Sequence, residues 1–136
     1  MSQAFRVLLV EDDDALRASL DEFLACQGWS VRATASGPQA IRLAQRERFD
    51  FSILDFHLPG MTGLDVLRAI SGIRPIPSIL MSGMATREDA LLAQAHGAFS
   101  FLRKPLDLAQ LRKNLDLLIH HHFGGPVDRH PDFPPR

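Results

Sequence analysis

Apolar residues along this chain occur in two kinds of pattern, short continuous runs and longer stretches with helical spacing. Continuous apolar runs are typical of strands that helices cover on both faces, so each run predicts a strand. The predicted strands comprise residues 5–10, 29–33, 51–54, 78–82 and 99–102. After each strand, apolar residues recur at every third or fourth position, which predicts five helices. Five strands alternating with five helices predict an α/β domain with a parallel sheet and right-handed crossovers.

Capping residues and glycines predict where these helices begin and end. Side chains that can accept a hydrogen bond from a first helical turn are expected at the starts, namely Asp14, Ser36, Thr86 and Asp107. Glycines that can adopt a left-handed backbone conformation are expected at the ends, namely Gly28, Gly72 and Gly97. Each of the first four helices is therefore expected to fill the interval between two strands.

The end of the chain differs in composition from the rest. The 14 residues from Phe123 onward contain four prolines and two glycines, which predicts a tail or the start of a linker that is too short for a second domain. We therefore expect a domain over residues 5–122 and a tail over residues 123–136. Three histidines, His120, His121 and His122, precede this tail. Adjacent helical residues point in different directions, so we interpret them as imidazoles at a helix C-terminus rather than as metal ligands.

Composition and charge narrow the classes of protein to which the chain can belong. With 136 residues, 46% of them hydrophobic, the chain can form one globular domain with its own core. A net charge of −1 gives no electrostatic field for nucleic acid or an anionic membrane. The single cysteine, Cys26, excludes an internal disulfide, and no apolar stretch has the length of a signal peptide or membrane span. We expect a cytoplasmic protein that binds neither nucleic acid nor membrane.

Reactive side chains lie at four of the predicted strand ends. Four acids, Glu11 to Asp14, follow the first strand, Asp55 follows the third, Ser82 ends the fourth, and Lys104 comes shortly after the fifth. The carboxyl ends of parallel strands lie at one edge of a sheet, which is where open α/β sheets bind ligands. The sequence therefore predicts one site that contains carboxylates, a hydroxyl and a lysine.

The acidic run predicts a divalent cation. Four consecutive carboxylates are unfavourable unless something neutralises them, and a hard cation bound through oxygen, most naturally Mg²⁺, does so. Glu11 and Asp12 directly continue a buried strand, and Asp55 would complete the cluster, so these three are the predicted ligands. Asp13 and Asp14 are interpreted as a solvated loop and a helix cap.

The remaining side chains predict phosphoryl transfer. That chemistry needs a cation facing the phosphoryl oxygens and a donor that follows the moving charge. Lys104 would supply the first and Ser82 the second. Because Pro105 follows Lys104, the bond between them can adopt the cis form, which could direct the lysine into the site.

On these residues the chain resembles a stand-alone response-regulator receiver domain of two-component signalling, over about residues 5–122. The matching segments are LLVEDD at 8–13, DFHLPGMTG at 55–63, LMSG at 80–83 and FLRKP at 101–105. The resemblance implies a flavodoxin-like, doubly wound (βα)5 fold with strand order 2-1-3-4-5. It also implies a phosphoacceptor signalling protein, with self-phosphotransfer and autodephosphorylation chemistry, rather than an enzyme.

The resemblance also implies a role for each site residue. Asp55 would accept a phosphoryl group from a sensor histidine kinase or a histidine phosphotransfer protein. Lys104 would pair with the phosphoryl oxygens, and Ser82 would occupy the Ser/Thr switch position. Mg²⁺, for which Mn²⁺ would substitute, would be held by Glu11, Asp12, Asp55 and the backbone carbonyl of His57.

Three further positions follow from the same resemblance. Phe101 takes the aromatic switch position, where many receivers have tyrosine. His57 and Met84 take positions that border the phosphoryl group and tune its lifetime. Receivers often present the face formed by the fourth helix, fifth strand and fifth helix, the α4-β5-α5 face, to a downstream protein.

Two alternative functions remain open from the sequence. A pseudo-receiver would be an interaction module that never takes phosphate, although such modules typically lose part of the acidic, serine and lysine set that is intact here. A hydrolase with an aspartyl-phosphate intermediate, like the haloacid-dehalogenase-like phosphatases, would need a first-strand nucleophile, and the residues after Asp12 fit that pattern poorly. A nicotinamide-binding Rossmann protein is excluded because no glycine-rich turn follows the first strand.

Overall fold

A computed structural model describes residues 4–84 and 86–124 of the chain. Five parallel strands form its main sheet: β1 Arg6–Val10, β2 Ser30–Thr34, β3 Phe51–Asp55, β4 Ser78–Ser82 and β5 Ser100–Arg103. Their order is β2-β1-β3-β4-β5, which confirms the predicted topology. Each strand lies within one residue of its predicted position. The predicted tail was residues 123–136, but Phe123 is still the last residue of the final helix and Gly124 caps it. Residues 125–136 lie outside the described residues.

Five helices connect and follow the strands in the described part of the chain. They are α1 Asp14–Ala25, α2 Gly37–Arg46, α3 Gly63–Ile73, α4 Arg87–Ala95 and α5 Leu108–Phe123. The side chains of Ser36, Thr86 and Asp107 cap α2, α4 and α5 as predicted. The three adjacent histidines lie in the last turn of α5, which agrees with their interpretation as C-terminal helix residues. None of these helices is both long and apolar enough to cross a membrane.

The core has two halves, one on each face of the sheet. Side chains alternate between the faces of a strand, so Val7 and Leu9 of β1 point into one half while Leu8 and Val10 point into the other. Helices α1 and α5 cover the first half, and α2, α3 and α4 cover the second. All four of these β1 residues are fully buried. This double cover accounts for the continuous apolar runs in the sequence.

Two predicted helix boundaries were wrong by one or two residues. Asp13, not Asp14, caps α1, because its side chain accepts a hydrogen bond from the backbone nitrogen of Leu16 at 2.9 Å. Asp14 is instead the first helical residue. Gly72 does not end α3, which continues to Ile73 and is followed by an extended Arg74. Proline disfavours helical geometry at the residue that precedes it, so Pro75 keeps Arg74 extended and the helix ends at Ile73.

A short hairpin that the sequence analysis did not predict joins β3 to α3. His57–Leu58 pairs with Met61–Thr62 in an antiparallel ladder, and Gly60 makes the turn with a φ of +78°. Thr62 then begins α3 through a reciprocal capping box with Asp65, at 3.1 and 3.0 Å. The hairpin thus places the first turn of α3 directly beside the end of β3.

Candidate functional site

Glu11 lies at the end of β1 and is completely buried. Its backbone nitrogen donates to the carbonyl of Thr34 at 3.0 Å, so the pairing of β1 with β2 continues into the acidic run. Its Oε2 accepts a hydrogen bond from the backbone nitrogen of Asp13 at 3.0 Å, and its Oε1 lies 2.7 Å from Lys104 Nζ. Both carboxylate oxygens therefore have a protein partner.

Asp55 is the last residue of β3 and is 3% exposed. Its Oδ1 accepts a hydrogen bond from the backbone nitrogen of His57 at 3.2 Å and lies 3.3 Å from Lys104 Nζ. The next residue, Phe56, donates its backbone N–H to the carbonyl of Met81 at 2.7 Å. The strand end that carries Asp55 is thus attached to the end of β4.

Lys104 reaches both buried carboxylates from the end of β5. Its backbone nitrogen donates to the carbonyl of Ser82 at 2.8 Å, and its bond to Pro105 is cis, as the sequence allowed. Burial alone would lower the pKa of Lys104, but the hydrogen bond to Glu11 and the charge of Asp55 raise it above its ordinary value. The amine therefore carries a positive charge in the site.

The pKa of Asp55 is raised to about 7. Burial is the largest cause, followed by side-chain hydrogen bonds with Asp12 and Glu11 and by the charge of Glu11, while Lys104 acts in the opposite direction. Because one lysine faces three carboxylates, the cluster has excess negative charge. A bound cation would relieve that excess.

The donor atoms of this cluster suit a hard divalent ion. One carboxylate oxygen each from Glu11, Asp12 and Asp55 lies within 4.8 Å of the other two. All three donors are oxygens, which Mg²⁺ prefers, and Asp12 is exposed and so leaves space for the waters that this ion retains. In residues 4–84 and 86–124 no other group of three acidic, histidine or cysteine ligands comes this close, so the α5 histidines do not converge.

We expect the Asp12→Ala variant to lose most of its thermal response to Mg²⁺. In the parent, the ion binds only the folded state and should raise the melting temperature. Asp12 is the exposed member of the cluster, so its removal takes away a ligand while leaving the buried pair intact. Melting curves with and without Mg²⁺ measure the difference. Asp14→Ala is the control, since Asp14 belongs to the same acidic run but not to the cluster. If Asp12→Ala responds to Mg²⁺ as the parent does, the acidic run is a solvated loop and not a metal site.

Ser82 is buried at the end of β4. Its Oγ accepts a hydrogen bond from the backbone nitrogen of Met84 at 3.1 Å, so the hydroxyl is engaged within its own turn. The side chain of Met84 is 70% exposed, and that of His57 is exposed as well. The imidazole of His57 is not among the side chains that group with Glu11, Asp12 and Asp55.

Phe101 lies on β5 and is partly buried against the core half that α2, α3 and α4 cover. Its ring centroid is 5.9 Å from that of Phe56, and the two ring planes are inclined by 83°. Sequence reasoning singled out Phe101 but missed Phe56. An aromatic residue next to the predicted acceptor was the available signal.

Sequence reasoning also missed the role of Gly63. A Cβ atom on this residue would overlap the carbonyl oxygen of Asp55, so the first residue of α3 packs directly against the backbone of the central carboxylate. The backbone nitrogen of Gly63 donates to the carbonyl of Phe56 at 2.8 Å. Only glycine permits this approach, and Thr62, the cap just before it, fixes the start of the helix here.

We expect Gly63→Ala to lower the free energy of unfolding by about 1–3 kcal/mol, the usual cost of overpacking. The added methyl group must displace the Asp55 backbone, so the Mg²⁺ response should weaken as well. Gly72→Ala is the matched control, because it lies in the same helix with no atom near its Cβ position. It should gain about 0.5–1 kcal/mol from helix propensity. Denaturant titrations measure both variants, and an equally stable Gly63→Ala would contradict the close approach.

Comparisons with known proteins agree with this geometry. The chain is 37% identical over 114 residues to the transcriptional activator protein PfeR of Pseudomonas aeruginosa, which covers 84% of this chain and 37% of PfeR. It is 32% identical over 121 residues to the cell cycle response regulator CtrA of Brucella ovis, which covers 88% of this chain and 52% of CtrA. The chain thus spans about half, or less, of the length of these curated relatives.

A solved structure gives the same result for the fold. A CheY-like response regulator receiver domain protein from Methanospirillum hungatei superposes with a TM-score of 0.82 at 26% sequence identity, covering 90% of this chain and all of that one. Residues 7–116 match the sequence profile of the family described as response regulator receiver domain. The matched range includes all three residues of the carboxylate cluster as well as Ser82 and Lys104. The chain therefore belongs to the response regulator receiver domain family.

Proposed function

We propose that Asp55 accepts a phosphoryl group from the phosphohistidine of a sensor histidine kinase or a histidine phosphotransfer protein, in a reaction that depends on Mg²⁺ and takes place in the cytoplasm. The observation that carries this proposal is the buried Asp55 carboxylate, 3.3 Å from Lys104 Nζ and clustered with two further carboxylates. An intact set of this kind favours phosphorylation over a pseudo-receiver. The membership of the receiver family supports it over a phosphatase.

The chemistry follows from the position of each group. An Asp55 carboxylate oxygen attacks phosphorus, a new P–O bond forms, and the P–N bond to the donor imidazole breaks, leaving the electron pair on the ring nitrogen. The positive charge of Lys104 stabilises the phosphoryl oxygens as they approach. Glu11, Asp12, Asp55 and the His57 carbonyl would hold Mg²⁺, or Mn²⁺ in its place, and the ion would neutralise negative charge that develops during the transfer.

The output that we propose is a change in a protein-binding surface. Phosphorylation would draw the Ser82 hydroxyl away from the Met84 amide and toward the phosphoryl group. Phe101 would then shift into the space behind it and alter the α4-β5-α5 face for a downstream protein. Helix α4 suits such a change because Ala93 is its only fully buried residue. A net charge of −1 does not favour nucleic acid or membrane as a direct partner.

Incubation with a small phosphodonor, such as acetyl phosphate, and Mg²⁺ tests the proposal when intact mass is measured. A receiver gains the mass of one phosphate, which is stable in acid and labile in base. A pseudo-receiver gains none, and a phosphatase releases inorganic phosphate catalytically from many esters. Omission of Mg²⁺ should prevent the gain, and a metal-independent gain would contradict the proposed role of the carboxylate cluster.

We expect Met84→Glu to shorten the lifetime of the acyl phosphate by roughly tenfold. Hydrolysis needs a water aligned behind phosphorus, and an apolar methionine can cover that approach without offering the water a hydrogen bond. A glutamate could orient the water, although less well than a positioned general base, which supplies roughly 100-fold or more. Dephosphorylation rates measure the effect. His57→Asn is the companion variant: a slower rate there would show that the imidazole assists water. An unchanged rate in Met84→Glu would refute shielding.

A further inference from the structure

We propose that Phe56 is a positioning residue for Phe101: its buried ring holds the Phe101 ring in the resting position of the unphosphorylated domain. The inference deepens the proposed function, because it concerns how phosphorylation of Asp55 is transmitted, and it rests on that function. It adds a second connection between the acceptor and Phe101, separate from the one through Ser82. It is argued from the geometry of the segment after β3, the end of β4 and strand β5.

The Phe56 ring is held firmly. Its side chain is 5% exposed and belongs to the core half that α2, α3 and α4 cover. Its backbone is fixed on both sides, because the N–H donates to Met81 on β4 at 2.7 Å and the carbonyl accepts from Gly63 on α3 at 2.8 Å. A displacement of Asp55 is therefore transmitted to a ring that has little space to move independently.

The Phe101 ring is the freer of the two. It is only partly buried, and it packs against Phe56 with a centroid distance of 5.9 Å and an interplanar angle of 83°. This edge-to-face arrangement is the favourable one for two aromatic quadrupoles. Phenylalanine has no hydroxyl with which to anchor itself, so packing contacts alone decide where this ring rests. The contact with Phe56 is the one aromatic contact that Phe101 makes within the described residues.

The position of Phe56 makes this contact sensitive to the acceptor. Phe56 is adjacent to Asp55 in sequence, and its backbone bonds to Met81, which precedes Ser82. The resting state thus has two restraints, the Met84 amide on the Ser82 hydroxyl and the Phe56 ring on Phe101. Weakening the second restraint should shift the population toward the activated packing and, by linkage, tighten the binding of anything that prefers it.

The test measures the affinity for beryllofluoride, a phosphoryl analogue, at fixed Mg²⁺ by nuclear magnetic resonance titration. Phe56→Leu keeps an apolar side chain and removes the ring, and it should bind about 2- to 12-fold more tightly, the factor that corresponds to an aromatic pair worth about 0.5–1.5 kcal/mol. Phe49→Leu is the matched control, because Phe49 lies in the same core half at 7% exposure. Its affinity should equal that of the parent. In a Phe101→Leu background, Phe56→Leu should have no effect.

A second measurement uses the protein without any analogue. Phe56→Leu should change the chemical shifts and the χ1 rotamer average of Phe101, and Phe49→Leu should not. Equal or weaker beryllofluoride binding by Phe56→Leu, or an effect that persists without the Phe101 ring, would overturn the inference. If the parent binds no analogue and takes up no phosphate while the Phe101 signals still respond to Phe56→Leu, the proposed function fails and the positioning role of Phe56 in the resting domain stands.

Discussion

The Asp55→Asn variant is expected to take up no phosphate from a small phosphodonor and, without metal, to be more stable than the parent at neutral pH. Asparagine retains the shape of the side chain but removes the nucleophilic oxygen. It also removes one of the three clustered negative charges. Intact mass measures the first effect, and denaturant unfolding in a chelating buffer measures the second.

The gain in stability should depend on pH in a defined direction. Burial, together with Asp12 and Glu11, raises the pKa of Asp55 to about 7 in the folded state, above its ordinary value of 3.8. Between these two values the unfolded chain releases the proton while the folded protein retains it, so the stability of the parent falls as pH rises through this window. The variant lacks this dependence. The difference should therefore be absent below pH 3.8 and reach its maximum, on the order of a few kcal/mol, above pH 7.

A second carboxylate gives the control for both effects. Asp50 lies at the opposite end of β3, where its Oδ2 accepts a hydrogen bond from the backbone nitrogen of Arg6 at 2.7 Å. Asp50→Asn should take up phosphate as the parent does and should not become more stable. Full uptake of phosphate by Asp55→Asn would refute the assignment of the acceptor, and a pH-independent difference in stability would refute the raised pKa.

The part of the site that could be predicted from the sequence is the set of charged residues at the strand ends. Glu11, Asp55 and Lys104 each come at or just beyond the end of a strand, and a parallel sheet brings such ends to one edge whatever the helices between them contain. The apolar runs placed these ends within one residue. The sequence could not show whether Asp13 or Asp14 caps α1, because either carboxylate can accept a hydrogen bond from the first helical turn. The residue at which the backbone becomes helical decides between them.

The supporting contacts required three-dimensional information. Gly63 packs against the Asp55 carbonyl because of the hairpin between them, and that hairpin is too short to produce a strand signal. Phe56, just beyond β3, meets Phe101 on β5 across the intervening strand β4, and nothing in either local sequence specifies the other. The charged residues of the site can therefore be predicted from sequence patterns. The residues that position them can be identified only from the packing of the folded chain.

Replacing Lys104 should change stability in the opposite direction from replacing Asp55. Lys104→Met keeps the apolar stem and removes the amine that lies 2.7 Å from Glu11 and 3.3 Å from Asp55. Two buried carboxylates then face each other without a cation, and Lys104 no longer opposes the rise in the pKa of Asp55. We expect a loss of about 1.5–3 kcal/mol at pH 8 without metal, the range for hydrogen bonds to charged groups. Denaturant unfolding measures this loss, and phosphate uptake should fall with it.

The double variant separates the two charge pairs. In an Asp55→Asn background only the pair with Glu11 remains, so Lys104→Met should cost less there than in the parent. Lys113→Met is the control, since Lys113 is exposed on α5 and is the other lysine of the chain. An equal cost in both backgrounds would mean that Lys104 stabilises the fold through Glu11 alone. The amine would then contribute to Asp55 only when a phosphoryl group arrives, and its effect would appear in the rate of phosphate uptake and not in the free energy of unfolding.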